Sequence, residues 1–113
     1  MNMNKPDTPV APNDMLSKAH EAAALLKILS HPQRLCILCH MLDNERSVNE
    51  LAELCSIPQP QVSQFLARMR LEKLITCRRE GRNMLYRMTD PRLERIMGAL
   101  FAILCNPKAK TCD

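Results

Sequence analysis

Three groups of residues in this chain have types and spacings suited to chemistry. Six cysteines stand at Cys36, Cys39, Cys55, Cys77, Cys105 and Cys112. A thiol can serve as a small buried hydrophobe, a soft-metal ligand or a redox-active group, and its surroundings decide which. Gln59, Gln61, Ser63 and Gln64 crowd one short stretch; a glutamine amide pairs bidentately with adenine, and a serine hydroxyl bonds several base edges. Arg68, Arg70, Arg78, Arg79 and Arg82 follow, and guanidinium forks match phosphate geometry.

Charge is distributed to suit that last group. The formal net charge is +4, but residues 1–67 carry five Lys/Arg against seven Asp/Glu, whereas residues 68–95 carry nine against four. A local excess of this size forms a basic surface able to meet a polyanion. Hydrophobic residues at 46% and charged ones at 25% are a globular composition, and two glycines with few strand-like runs favour helix. No apolar run reaches the roughly 20 residues of a membrane span, and the polar stretch Met1–Pro12 lacks the apolar segment of an export signal. The expectation is a cytoplasmic protein whose cysteines begin as thiols in a reducing compartment. At 113 residues the chain has a modest core, which apolar surface on a partner copy would enlarge.

The elements that must position these groups can be read from periodicity and punctuation. Residues 1–13 read as a flexible N-terminal arm, 14–105 as one folded domain and 106–113 as a tail. Asp14 is placed to cap a helix over Met15–Leu29, with Leu25, Leu26 and Leu29 on one side. Pro32 opens a second helix running to about Leu42, with Leu35, Leu38, Cys39 and Leu42 as its buried stripe. Ser47-Val48-Asn49-Glu50 has capping-box spacing and starts a short helix to Cys55. Ser56-Ile57-Pro58 makes a turn, and a fourth helix runs from Gln59 to about Glu72 with Val62, Phe65, Leu66 and Met69 inward. The period then switches to alternation in 74–78 and 84–88, flanking Glu80-Gly81-Arg82-Asn83, which predicts a hairpin. A last helix starts at Thr89-Asp90-Pro91 and repeats Leu93, Ile96, Met97, Leu100, Phe101 and Leu104 before Asn106-Pro107 ends it. The fold class is mainly α with a small β-hairpin wing: a winged helix-turn-helix of five helices.

In that arrangement the second helix of the helix-turn-helix enters the major groove by its N-terminal half, where Gln59, Gln61, Ser63 and Gln64 lie. Arg68 falls further along, a position for phosphate. Arg78, Arg79 and Arg82 reach the backbone or minor groove from the hairpin. The partner so implied is an operator in double-stranded DNA.

Leu26 to Pro91, with Ser30-His31-Pro32-Gln33-Arg34-Leu35, Ser47-Val48-Asn49-Glu50-Leu51, Val62-Ser63-Gln64-Phe65-Leu66 and Tyr86-Arg87-Met88, resembles the ArsR/SmtB family of winged-helix repressors. The resemblance implies a homodimer held by its first and last helices, repressing transcription until an inducer weakens its grip on DNA. Arsenic and cadmium sensors of the family carry cysteines at the start of the third helix, and 45–51 here contain none. Zinc sensors carry Asp and His along the last helix, which here has Asp90 at its start and no histidine. Cys39 and Cys105, at the ends of two helices expected to pack together, resemble instead the dithiol of the sulfide- and persulfide-responsive branch. That likeness implies a redox sensor bridged by added sulfur or by oxidation, with a persulfide, polysulfide or oxidant as inducer.

Other readings stay open on the residues alone. Some of these thiolates could answer a soft metal in the same fold. Cys36 and Cys39 form a C-x-x-C, but without the preceding strand of a dithiol oxidoreductase. A nucleoid-type binder would show little sequence preference. Cys55 reads as packing, and His20, His31 and His40 as surface or capping residues. No catalytic residue, cofactor or metal ligand is assigned, and the protein is expected not to be an enzyme.

Overall fold

The computed structural model describes residues 12–105, with side chains from Asp14 onward. Five helices and one hairpin follow in order: α1 (Pro12–Leu29), α2 (Pro32–Cys39), α3 (Val48–Cys55), α4 (Gln59–Leu71), β1 (Ile75–Glu80), β2 (Asn83–Met88) and α5 (Pro91–Cys105). The expected N-terminal arm and tail lie outside the described residues, apart from the start of α1.

Local chemistry explains most of these boundaries. Helix α1 starts at Pro12, two residues before the expected cap; proline suits a first helical turn, and Asp14 sits in that turn as a charge complementing the helix dipole. His31 Nδ1 accepts from Gln33 N at 3.2 Å and caps α2, whose first residue is Pro32. The expected extent of α2 to Leu42 is corrected: the helix ends at Cys39. Beyond it the bonds tighten to three-residue steps, Met41 N to Leu38 O and Leu42 N to Cys39 O. The capping box at α3 is complete, with Ser47 Oγ accepting from Glu50 N and Glu50 Oε1 accepting from Ser47 N. Ser56 closes α3 in the left-handed conformation, φ 55.

The hairpin is longer and its turn tighter than alternation suggested. Antiparallel pairing runs from Ile75 opposite Met88 to Glu80 opposite Asn83, so the loop is only Gly81-Arg82. Gly81 adopts φ +63, the positive value that a two-residue hairpin loop requires. A further bridge pairs Arg46 with Tyr86, main chain to main chain at 3.0 and 2.8 Å. It ties the wing to the segment leading into α3.

One core joins all the elements. Ile37, Leu38, Leu51, Val62, Leu66, Met69, Leu93 and Met97 are its innermost side chains, with Leu25, Leu29, Met41, Ile57, Leu74, Ile75 and Met88 around them. The expected stripe on α2 shifts: Ile37, Leu38 and Met41 are buried, while Leu35, Cys39 and Leu42 are half-buried against them. On α4, Val62, Leu66 and Met69 point inward and Phe65 lies half-buried, meeting His31 edge-on at a ring separation of 5.0 Å. Leu26 on α1 and Phe101 and Leu104 on α5 are exposed in the single chain.

Candidate DNA interface and cysteine network

Helices α3 and α4 pack on each other around the Ser56-Ile57-Pro58 turn, and the core side chains Leu51, Val62 and Leu66 fix their angle. This leaves the opposite side of α4 in solvent. Gln59, Ser63, Gln64, Arg68 and Arg70 are exposed there, with side chains available to a duplex. Gln61 differs from its neighbours: it is half-buried, and its amide donates to the Gln33 side chain on α2. Proline at 60 costs the helix nothing, because an N–H in the first turn has no partner within the helix.

The wing arginines are not equivalent. Arg78 is held by Glu45, Nε lying 3.0 and 2.9 Å from the two carboxylate oxygens and Nη2 2.8 Å from Oε1. Glu80 takes the same Nη2 at 2.9 Å. The guanidinium holds the Glu45 carboxyl below the usual carboxylate range, and its own pKa is raised in return. Arg79 makes one bond, to the Gly81 carbonyl at 3.3 Å. Arg82, in the exposed loop, has no protein partner among the described residues. On α4, Arg68 meets Glu72 at 3.7 Å, a solvent-exposed pair that a phosphate can readily replace.

The cysteines divide between two neighbouring groups. Helix α5 packs on α2, and this brings Cys105, the exposed last residue of α5, into electrostatic reach of half-buried Cys39. Burial pushes the Cys39 thiol up, and the nearby Cys36 and Cys105 sulfurs add to the shift. The second group was not visible in the sequence. Cys36, His40 and Cys55 have their sulfur and nitrogen atoms within 4.8 Å of one another. Cys55 is pushed up to about 12, first by burial and then by a side-chain hydrogen bond with Cys36. The four-residue step from Cys36 to His40 is legible as one helix edge. The approach of Cys55 is not, because it depends on how α3 packs against α2. Cys77 is half-buried on β1, opposite Tyr86, and Cys112 lies outside the described residues.

Comparison with known proteins agrees with this architecture. The pattern of bacterial regulatory proteins of the arsR family matches residues 31–76, from the start of α2 into β1. The chain is 39% identical over 92 residues to a biofilm growth-associated repressor of Xylella fastidiosa, covering 81% of each chain. It is 32% identical over 97 residues to the transcriptional activator HlyU of Vibrio cholerae, covering 86% of this chain and 90% of that one. Among solved structures, the repressor BigR from Xylella fastidiosa superimposes with a TM-score of 0.76 at 38% identity, over 85% of this chain and 98% of BigR. Reduced HlyU from Vibrio cholerae superimposes at 0.78 and 32% identity, over 83% and 99%. These relatives are named as transcriptional regulators rather than enzymes. With its helix-turn-helix, its wing and this likeness along most of its length, the chain belongs to the arsR family of bacterial regulatory proteins.

Proposed function

We propose that this protein is a homodimeric transcriptional repressor of the cytoplasm that leaves its operator when Cys39 and Cys105 become bridged through sulfur. The observation that carries this reading is the approach of Cys105, ending α5, to Cys39, ending α2. A bridge between them would couple the last helix to the scaffold on which α3 and α4 rest. Its effect on DNA affinity follows from small changes in the angle of α4, since the groups that read bases must sit within hydrogen-bond distance of them.

Dimerisation through the first and last helices is supported by what a single chain leaves bare. Leu16 is 62% and Leu26 58% exposed on α1, and Phe101 is 49%, Ile103 64% and Leu104 73% exposed on α5. Large apolar side chains grouped on two helices mark a contact surface. A second copy covers them symmetrically and gives the two recognition helices the spacing of paired half-sites.

The inducer class follows from the thiols. Burial pushes the Cys39 thiol up and so disfavours its thiolate, and a sulfane-sulfur donor compensates because its own sulfur is electrophilic. Each thiol takes one sulfur from a persulfide RSSH and releases RSH. The terminal sulfur of one protein persulfide then attacks the Sγ of the other and expels hydrosulfide. The sum is two thiols and two RSSH giving a trisulfide bridge, two RSH and one hydrogen sulfide. A dithiol oxidoreductase finds less support: Cys36 lies within α2 and Cys39 ends it, where the helix dipole opposes a thiolate.

Mass spectrometry of the reduced protein after exposure to an organic persulfide tests the chemistry. The expected product is a peptide pair cross-linked between Cys39 and Cys105 with inserted sulfur. Modification confined to other cysteines contradicts the assignment.

A further inference from the structure

The sulfur switch does not use Cys36, His40 and Cys55. We propose that these three residues form a binding site for a thiophilic closed-shell cation of the zinc class, clamping the end of α3 to α2. The proposal does not depend on the fate of Cys39 and Cys105, because its donors are a separate set.

Geometry makes the first argument. Cys36 and His40 are one helical turn apart on α2 and its C-terminal cap, and Cys55 is the last residue of α3. All the donor atoms fall within 4.8 Å of one another. Tetrahedral zinc, with bonds of about 2.3 Å to sulfur and 2.0–2.1 Å to nitrogen, holds such donors roughly 3.5–3.8 Å apart. Closing that difference of at most about 1.3 Å is a matter of side-chain torsions.

Donor chemistry makes the second. Two thiolates and one neutral imidazole balance a divalent charge, and a soft set without carboxylates selects zinc-like ions over magnesium or calcium. Among the described residues His40 bonds only through its main chain, its N–H to the Cys36 carbonyl and its carbonyl from Arg46 Nε at 2.9 Å. Both ring nitrogens are therefore uncommitted. A pair of packed cysteines alone would be small-hydrophobe packing. An imidazole beside them, with no protein partner for its ring among the described residues, supplies a ligand that packing does not require. All three side chains are half-buried rather than sealed, which gives an ion a way in. A water can take the fourth position.

The site has a mechanical consequence. Helix α3 is the first helix of the helix-turn-helix, and its end runs directly into the turn before α4. An ion joining Cys55 to α2 fixes the base on which α4 stands.

Anaerobic titration of the reduced full-length protein with Co2+, followed by displacement with Zn2+, tests the site. The expected result is one ion per protomer with the intense visible bands of tetrahedral, thiolate-ligated cobalt. Cys55→Ser and His40→Gln should each weaken binding by more than the roughly tenfold that even a supporting residue contributes, while Cys105→Ser leaves it unchanged. Zinc X-ray absorption on the unmodified protein reads the ligands without any variant, and two sulfur scatterers with nitrogen and oxygen completing the shell are expected. An octahedral cobalt spectrum, a different sulfur count, or binding lost in Cys105→Ser but kept in Cys55→Ser overturns the proposal.

Discussion

Arg78 forks onto Glu45 across the gap between the wing and the segment before α3, with Nε 2.9 Å from Oε2 and Nη2 2.8 Å from Oε1. An arginine already neutralised by two carboxylates has less to offer a phosphate than a free one. Arg82→Ala should therefore lower DNA affinity at all sequences and reduce the slope of log affinity against log salt by about 1. Arg78→Ala should change it far less, and Glu45→Gln should strengthen binding by releasing Arg78. Fluorescence anisotropy over a salt series reads all three, and equal losses for Arg78→Ala and Arg82→Ala would show that DNA displaces Glu45 at no cost.

The scaffold of the helix-turn-helix is sensitive to two kinds of change. Leu51 has no exposed surface and packs where α3 meets the rest of the core, so Leu51→Ala should cost about 2–5 kcal/mol. Ser47→Ala removes one half of the α3 capping box and should cost about 1 kcal/mol. Urea denaturation with a fixed slope measures both, and a loss for Ser47→Ala as large as that for Leu51→Ala would contradict this division.

Much of this architecture was legible in the sequence, and what was not has a common cause. Ser47 and Glu50 signal the start of α3 because a capping box is a local motif. Gly81 likewise marks the hairpin turn. The Arg46–Tyr86 bridge and the Arg78–Glu45 pair were hidden because they form between segments distant in sequence, and the early end of α2 because the apolar spacing continues to Leu42 while the backbone tightens after Cys39. The same holds for the candidate sites. The exposed glutamines of α4 follow from helical spacing, but the tie between Gln61 and Gln33 does not. Cys36 and His40 share an edge by spacing, whereas Cys55 joins them only through the packing of two helices.

Acid should weaken the fold through two carboxylates. Arg92 holds Asp90 below its ordinary pKa, chiefly by a side-chain hydrogen bond, and Arg78 does the same for Glu45. A folded pKa below the unfolded value of about 3.9 for Asp or 4.3 for Glu adds stability that is fully present above that value. It is lost as pH falls through the folded pKa. Urea midpoints should thus be insensitive to these pairs at neutral pH and fall below about pH 4. Glu45→Gln and Asp90→Asn should each flatten that fall, and an unchanged pH profile in both variants would contradict the assignment.

The exposed apolar face of α5 should carry the dimer. Replacing Leu104, 73% exposed in the single chain, by Glu places a charge in the proposed interface without disturbing the core. Light scattering after size exclusion should show the change from dimer to monomer, and operator affinity should drop with it. A variant that remains dimeric and binds normally would move the interface elsewhere.

The central claim is that bridging Cys39 and Cys105 releases DNA, and operator affinity of the fully bridged protein tests it most directly. The account predicts that affinity falls at least about tenfold, a change of about 1.4 kcal/mol, once mass spectrometry shows complete conversion. It also predicts recovery on reduction and no response in Cys39→Ser or Cys105→Ser. Unchanged operator affinity in the fully bridged protein would contradict the account.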